Sequence, residues 1–294
     1  MLLSSRGLCA CARAAPAGAA RRAARVVPRS LHGSTSEHYQ STVTLYTGQD
    51  QDGALCPDSQ SAMIALLEKQ VDMSNKPNDF KELYHAVIPL KDVRERAPLL
   101  LDGPTHLADA SIISEYLEAR YRDRGARLMP DDPAAQARVR LFVRFFGDHV
   151  VPQYQRIVHV DDPAIVEETH ARLLAALEAV DQFLRLHGGS GAAGAVGPHA
   201  GWSMRDEEAG AGGPYFLGRT YTLAEVAATP WIARLAHVLP EWRGIDLLAE
   251  CRRVGAHRVA EWMAACLARP SAARTDPGRD LIDGLVSSEM AHAT

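Results

Sequence analysis

Near Pro133 the hydrophobic pattern of this chain changes period, and that change constrains the fold more than any other feature. Before it, short β-branched and apolar runs alternate with short helical stretches. Thr42 to Thr47 alternates as a strand does, and a polar loop, Gly48 to Ala54, follows it. From Cys56-Pro57 the spacing of Met63, Ile64, Leu66 and Leu67 predicts a helix with one buried face, opened by a proline suited to a first turn. Val71 to Pro77 reads as a short strand or extended link, and Phe80, Leu83 and Tyr84 as a short helix. Leu99-Leu100-Leu101, the turn Asp102-Gly103 and a strand near His106-Leu107 make a hairpin, and Ile112, Ile113, Tyr116 and Leu117 predict a further helix. The order β-α-β-α-β-β-α within so short a stretch describes a small α/β domain.

After Pro133 only helical spacing remains. Val139, Leu141, Phe142, Phe145 and Phe146 mark a helix from Pro133 to Val150, and Val166, Leu173, Leu174, Leu177, Val180 and Leu184 mark another from Pro163 to Leu186. Residues 188–214 are rich in Gly and Ala with Trp202 as their apolar anchor, and read as a flexible insertion. Thr222-Leu223-Ala224-Glu225 is a capping-box pattern that opens a helix through Leu235. Further helical segments run to Leu267, and a tail follows Pro270.

The first 36 residues differ in composition from the rest. They carry Arg6, Arg13, Arg21, Arg22, Arg25 and Arg29, many Ala and Ser, and no acid before Glu37. This is the character of an organelle transit peptide, so residues 1–38 are set apart from an α/β domain over 39–126 and a helical domain over 132–285. An arginine-rich leader serves plastids and mitochondria alike. A chain of net charge −4 that loses six arginines carries −10, which disfavours a nucleic-acid partner. No apolar run approaches the roughly 18 residues of a membrane span. Cys56, Cys251 and Cys266 remain once Cys9 and Cys11 leave with the leader; their spacing suggests neither a disulfide framework nor a metal site.

Chemistry gathers at Cys56-Pro57-Asp58-Ser59. A thiol at a helix N-terminus faces unpaired N–H groups and the positive end of the helix dipole, and both favour the nucleophilic thiolate. Ser59 stands where a Cys-x-x-Cys pair has its resolving cysteine, which suits a one-cysteine cycle. Pro98 opens a strand facing that helix end; a proline so placed is often cis in thioredoxin-like architectures, which exposes the Ala97 backbone to an extended ligand, and a trans proline ending a loop is the alternative. Asp109-Ala110-Ser111 opens the helix after the hairpin. Asp109 suits either an N-cap or, with the free N–H groups, a site for a ligand's charged end. His149, His159 and His170 show no metal-ligand pairing. Cys251 and Cys266 read as inert, and Trp231 and Trp242 as core or interdomain packing.

These motifs resemble the glutathione transferase superfamily, over roughly residues 42 to 285 apart from the insertion. A cysteine at the first helix resembles its omega, lambda and dehydroascorbate reductase classes. Asn75-Lys76-Pro77-Asn78-Asp79-Phe80, Leu128-Met129-Pro130-Asp131-Asp132-Pro133 and Thr275-Asp276-Pro277 resemble lambda-type segments, and Phe216-Leu217-Gly218 with Thr222-Leu223-Ala224-Glu225 resembles the superfamily's capping motif. The resemblance implies a thioredoxin-like domain followed by an all-α domain. It implies a thiol transferase or dehydroascorbate reductase with glutathione as co-substrate and no metal. Cys56 would form the mixed disulfide with Ser59 beside it. Arg96 would hold the glycyl carboxylate, the Ala97 backbone beside cis-Pro98 would pair with the cysteinyl unit, and Asp109 with the Ala110 N–H would take the γ-glutamyl end. The partners implied are glutathione and a small-molecule or glutathionylated substrate, in a monomer or homodimer, and the lambda likeness points to the chloroplast over the mitochondrion. Three residues depart from the pattern: Ala110 for Ser, Asp58 for an aromatic, and Ser61 for an Arg. A non-catalytic binding, scaffold or carrier protein of the same fold is the rival reading.

Overall fold

A computed structural model describes residues 43–48, 55–74, 80–89, 95–187 and 213–278, together with 280 and 284. The arginine-rich leader, nearly all of the Gly/Ala-rich insertion and the Asn75–Asp79 motif lie outside the described residues.

Four short strands form one mixed sheet in the order β2-β1-β3-β4. They are β1 (Val43–Tyr46), β2 (Met73–Ser74), β3 (Leu99–Asp102) and β4 (Thr105–Ala108). β1 runs parallel to β2 and antiparallel to β3, with Tyr46 opposite Leu99; the β3–β4 hairpin pairs Leu100 with Leu107. The parallel pair needs a crossover, supplied by α1 (Pro57–Glu68). α2 (Phe80–Val87) and α3 (Ala110–Arg120) complete the α/β part.

The rest of the described residues are mostly helical: α4 (Pro133–His149), α5 (Val151–His159), α6 (Pro163–His187), α7 (Leu223–Arg243), α8 (Leu247–Arg253), α9 (His257–Leu267) and α10 (Pro270–Thr275). The α/β part followed by the helical part is the expected fold class. Its core centres on Phe142, whose ring lies 4.8 Å from Phe216 and 5.2 Å from Trp262, offset-stacked and edge-on respectively.

Two elements escape a reading by sequence pattern alone. α5 begins directly after α4 with Pro152 in its first turn, so the missing proline N–H costs nothing there. The expected tail after Pro270 is instead the short helix α10. Pro270 opens it, and Ser271 Oγ together with Arg269 donates to the Glu68 carboxylate at the end of α1. The helix through Leu235 continues to Arg243, where Gly244 closes it in the left-handed region at φ 68°.

α1 explains how the two parts meet. Spacing alone gives it one buried face, yet Ser59, Gln60, Ala62 and Ala65 are buried while Met63 and Leu67 are half-buried. The reason is a second wall: α1 packs on α3 and also on α7. α7 contains Pro230, which has no N–H to offer the carbonyl of Val226 one turn back. Ser61 Oγ donates to that carbonyl at 3.1 Å, so a hydroxyl from α1 fills the gap that proline leaves in α7.

Glu225 fixes the start of α7. It closes the capping box expected from Thr222-x-x-Glu225, and its fully buried carboxylate accepts from the N–H groups of Phe216 and Thr222, from Thr222 Oγ1 and from Trp262 Nε1.

Candidate active site

Between the α/β part and the helices lies a cleft of about 1070 Å³. Asp58, Ser61, Arg96, Ala97, Asp109 and Ala110 line it on the α/β side. Val139, Val143, Phe146, Ala228 and Trp231 line it on the helical side with Arg140 and Arg144, so the α/β wall is largely polar and the helical wall apolar apart from two arginines.

Cys56 sits behind the polar wall. It is the N-cap of α1, in extended conformation, and its N–H donates to the Gly48 carbonyl at 2.9 Å, which ties it to the end of β1. The sulfur accepts from the Ser59 N–H at 3.3 Å, and its S–H donates to Ser59 Oγ at 3.0 Å. That hydroxyl also accepts from the Gly48 N–H at 3.0 Å. On loss of the thiol proton the Ser59 hydroxyl is placed to donate to sulfur instead, which stabilises a thiolate. Cys56 and Ser59 are both fully buried, and neither they nor Pro98 line the cleft.

The other expected site residues divide in the same way. The Ala97–Pro98 bond is cis, with both residues buried. Arg96 is exposed at the cleft edge. Asp109 is the N-cap of α3 at φ 81°, a left-handed conformation rare outside glycine. One of its oxygens accepts from the Ser111 N–H at 2.8 Å, the Ser111 hydroxyl at 2.5 Å and the Ile112 N–H at 3.2 Å, so the capping role is present and the residue still faces the cleft. Thus Arg96, Ala97, Asp109 and Ala110 share the cleft wall, while Cys56, Ser59 and Pro98 form the layer beneath.

Asp58, one residue past the α1 cap-and-proline pair, is half-buried against the cleft. Its pKa is raised from 3.8 to about 6, first by burial and then by the nearby Asp109 charge, against the opposing pull of Arg234 and Arg96. Burial pushes the Cys251 thiol up to about 11, and the Cys266 thiol well above its ordinary value, so neither is a thiolate at neutral pH.

Spacing missed two contributors. Trp231 packs against the core as expected and in addition lines the cleft, meeting Tyr154 edge-on at 5.9 Å. Arg234, fully buried on α7, donates from Nη1 to Gln60 Oε1 at 2.9 Å and from Nη2 to the Leu55 carbonyl. A signal for it exists in the sequence: it is the one charged residue between Glu225 and His237 in an otherwise apolar stretch.

Comparison with known proteins gives the same architecture. Residues 204–275 match the family described as glutathione S-transferase, C-terminal domain. A probable glutathione S-transferase, parC, of Nicotiana tabacum is 25% identical over 87 residues, which span 30% of this chain and 38% of the relative. Glutathione S-transferase U10 of Arabidopsis thaliana is 25% identical over 132 residues, 44% of this chain and 55% of that one. The matched segments therefore cover less than two thirds of either curated relative. Among solved structures, glutathione transferase Omega 3C from Trametes versicolor superposes with a TM-score of 0.58 at 24% identity, covering 79% of this chain and 88% of its own. A tau-class glutathione S-transferase from mango, Mangifera indica, superposes with a TM-score of 0.61 at 16% identity, covering 85% and 98%. The chain has the glutathione transferase fold. Its C-terminal domain carries that family's sequence pattern, and its structural neighbours include both omega and tau proteins.

Proposed function

We propose that the chain is a glutathione-dependent transferase of the cysteine type, acting as a thiol transferase or reductase through Cys56. The observation that carries this reading is the sulfur at the N-cap of α1, held by the Ser59 N–H and hydroxyl. In the first step the Cys56 thiolate attacks the glutathione sulfur of a mixed disulfide, a Cys56–glutathione disulfide forms, and the substrate leaves as its thiolate. In the second, a glutathione thiolate attacks the glutathione sulfur of that adduct, releasing oxidised glutathione and the Cys56 thiolate. Reduction of dehydroascorbate would use the same cysteine and the same resolving step. Glutathione would lie along the polar wall, with its glycyl end toward Arg96, its cysteinyl backbone along Ala97 and its γ-glutamyl end toward Asp109 and the Ala110 N–H. The arginine-rich leader supports an organelle location and the lambda-type likeness favours the chloroplast over the mitochondrion, which a fluorescent fusion of residues 1 to 45 tests.

The test is mass spectrometry after incubation with oxidised glutathione. One glutathionyl adduct on Cys56, removed by reduced glutathione and absent in Cys56→Ser, is the expected result. Disulfide-exchange activity retained by Cys56→Ser would exclude the mechanism. A second reading, a glutathione-binding carrier without thiol chemistry, is favoured by the complete burial of Cys56 behind the cleft wall. Calorimetric binding of glutathione with no adduct on Cys56 would select the carrier.

A further inference from the structure

Arg234 is a cation of the helical domain buried against the start of α1. Its guanidinium reaches the chain on both sides of Cys56. Nη2 donates to the carbonyl of Leu55, the residue before the cysteine, and Nη1 to the side-chain oxygen of Gln60, one turn after it. The Gln60 N–H in turn donates to the Cys56 carbonyl at 3.0 Å. A third bond, from Nη1 to the Pro230 carbonyl at 3.0 Å, locks the side chain to its own helix. The planar fork therefore brackets the cysteine peptide in a way a single ammonium cannot.

We propose that Arg234 is a positioning residue for Cys56, holding the cysteine peptide and the first turn of α1 while its charge favours the thiolate. The inference rests on the reading of Cys56 as the nucleophile. Burying a guanidinium is costly, and the tie between α1 and α7 is already made by Ser61 on Val226 and by apolar packing. A positive charge set one peptide from the sulfur adds to the field of the helix N-terminus and lies on its side of the balance. Among the described residues, the other charges that act on this end of α1 are Asp58 on the helix itself, with Asp109 at the start of α3 and Arg96 before β3 acting on Asp58. The two carboxyl groups oppose a thiolate and the second arginine is exposed, so Arg234 is the buried cation that offsets them.

The experiment follows the pH dependence of Cys56 alkylation by iodoacetamide, resolved by peptide mass spectrometry so that Cys251 and Cys266 are scored apart. Wild type is compared with Arg234→Gln, Arg234→Met and Arg234→Lys. The methionine variant fills the space without charge and keeps the test open if glutamine is not tolerated. Expected is a wild-type midpoint below the ordinary thiol value of about 8.5. The midpoint should rise by about one pH unit in either neutral variant and return most of the way in Arg234→Lys. A low wild-type midpoint left in place by both neutral variants would overturn the role given to Arg234 and leave Cys56 as the nucleophile. A wild-type midpoint at or above about 8.5 would overturn the nucleophile reading, and this inference with it.

Discussion

Asp58 makes folding stability depend on pH in a direction opposite to that of most carboxylates. Its folded pKa, about 6, lies above the unfolded value of 3.8, because burial beside Asp109 disfavours the ionised form. Between those two values the folded protein holds a proton that the unfolded chain has released, so stability falls as pH rises through the window. Near pH 3 and below the carboxyl is largely neutral in both states and the penalty is nearly absent; by about pH 7 it is ionised in both and the penalty is complete. The gap corresponds to about 3 kcal/mol at about 1.4 kcal/mol per pH unit. Contact with solvent in the cleft reduces that to about 2 kcal/mol. Asp58→Asn keeps the shape and removes the titration. In urea denaturation from pH 3 to 8, the variant should match wild type near pH 3 and exceed it by about 2 kcal/mol at pH 7 to 8. The difference between variant and wild type isolates this carboxyl from the others that titrate. A difference that is flat across the range, or that shrinks as pH rises, would refute the account of Asp58 as a carboxylate ionised at a cost.

Two further substitutions probe the frame that holds the site. A Cβ on Gly125, at φ 57°, would lie 2.0 Å from the Glu68 carbonyl oxygen at the end of α1, so Gly125→Ala should cost about 3 kcal/mol or more by urea denaturation. A loss under about 1 kcal/mol would show that the loop before the helical domain shifts freely. Glu225→Ala strands the buried donors of Phe216, Thr222 and Trp262, at about 1 to 3 kcal/mol each, and should lower stability by about 4 kcal/mol or more. Glu225→Gln keeps one acceptor and should lose less; equal losses would argue that the hydrogen bonds do not carry the effect.

Local chemistry made much of this legible from the chain alone. The Asp102-Gly103 hairpin, the Thr222–Glu225 capping box and Cys56 ahead of Pro57 each depend on neighbours within a few residues, so spacing suffices to find them. The cysteine's place at the start of α1 follows in the same way, because strand, loop and proline-led helix are read in order. α5 and α10 were less visible, since both are short and their stability comes from what they dock on rather than from their own periodicity.

What surrounds Cys56 was decided by tertiary structure. Neither the full burial of the sulfur nor its position behind the cleft wall can be read from spacing, because both depend on residues far along the chain. Ser61 looks like a lost arginine in sequence, yet it satisfies a carbonyl that Pro230 leaves open, 165 residues away from its donor in the chain. Arg234 reaches the Leu55 carbonyl across a still longer separation, and Asp58 acquires its raised pKa from burial first and then from the Asp109 charge. That a cysteine caps the first helix follows from its immediate neighbours, because capping is a matter of adjacent residues. Which charges that cysteine faces depends on how α3, the start of β3 and α7 pack around α1, because an electrostatic environment is set by distance in space.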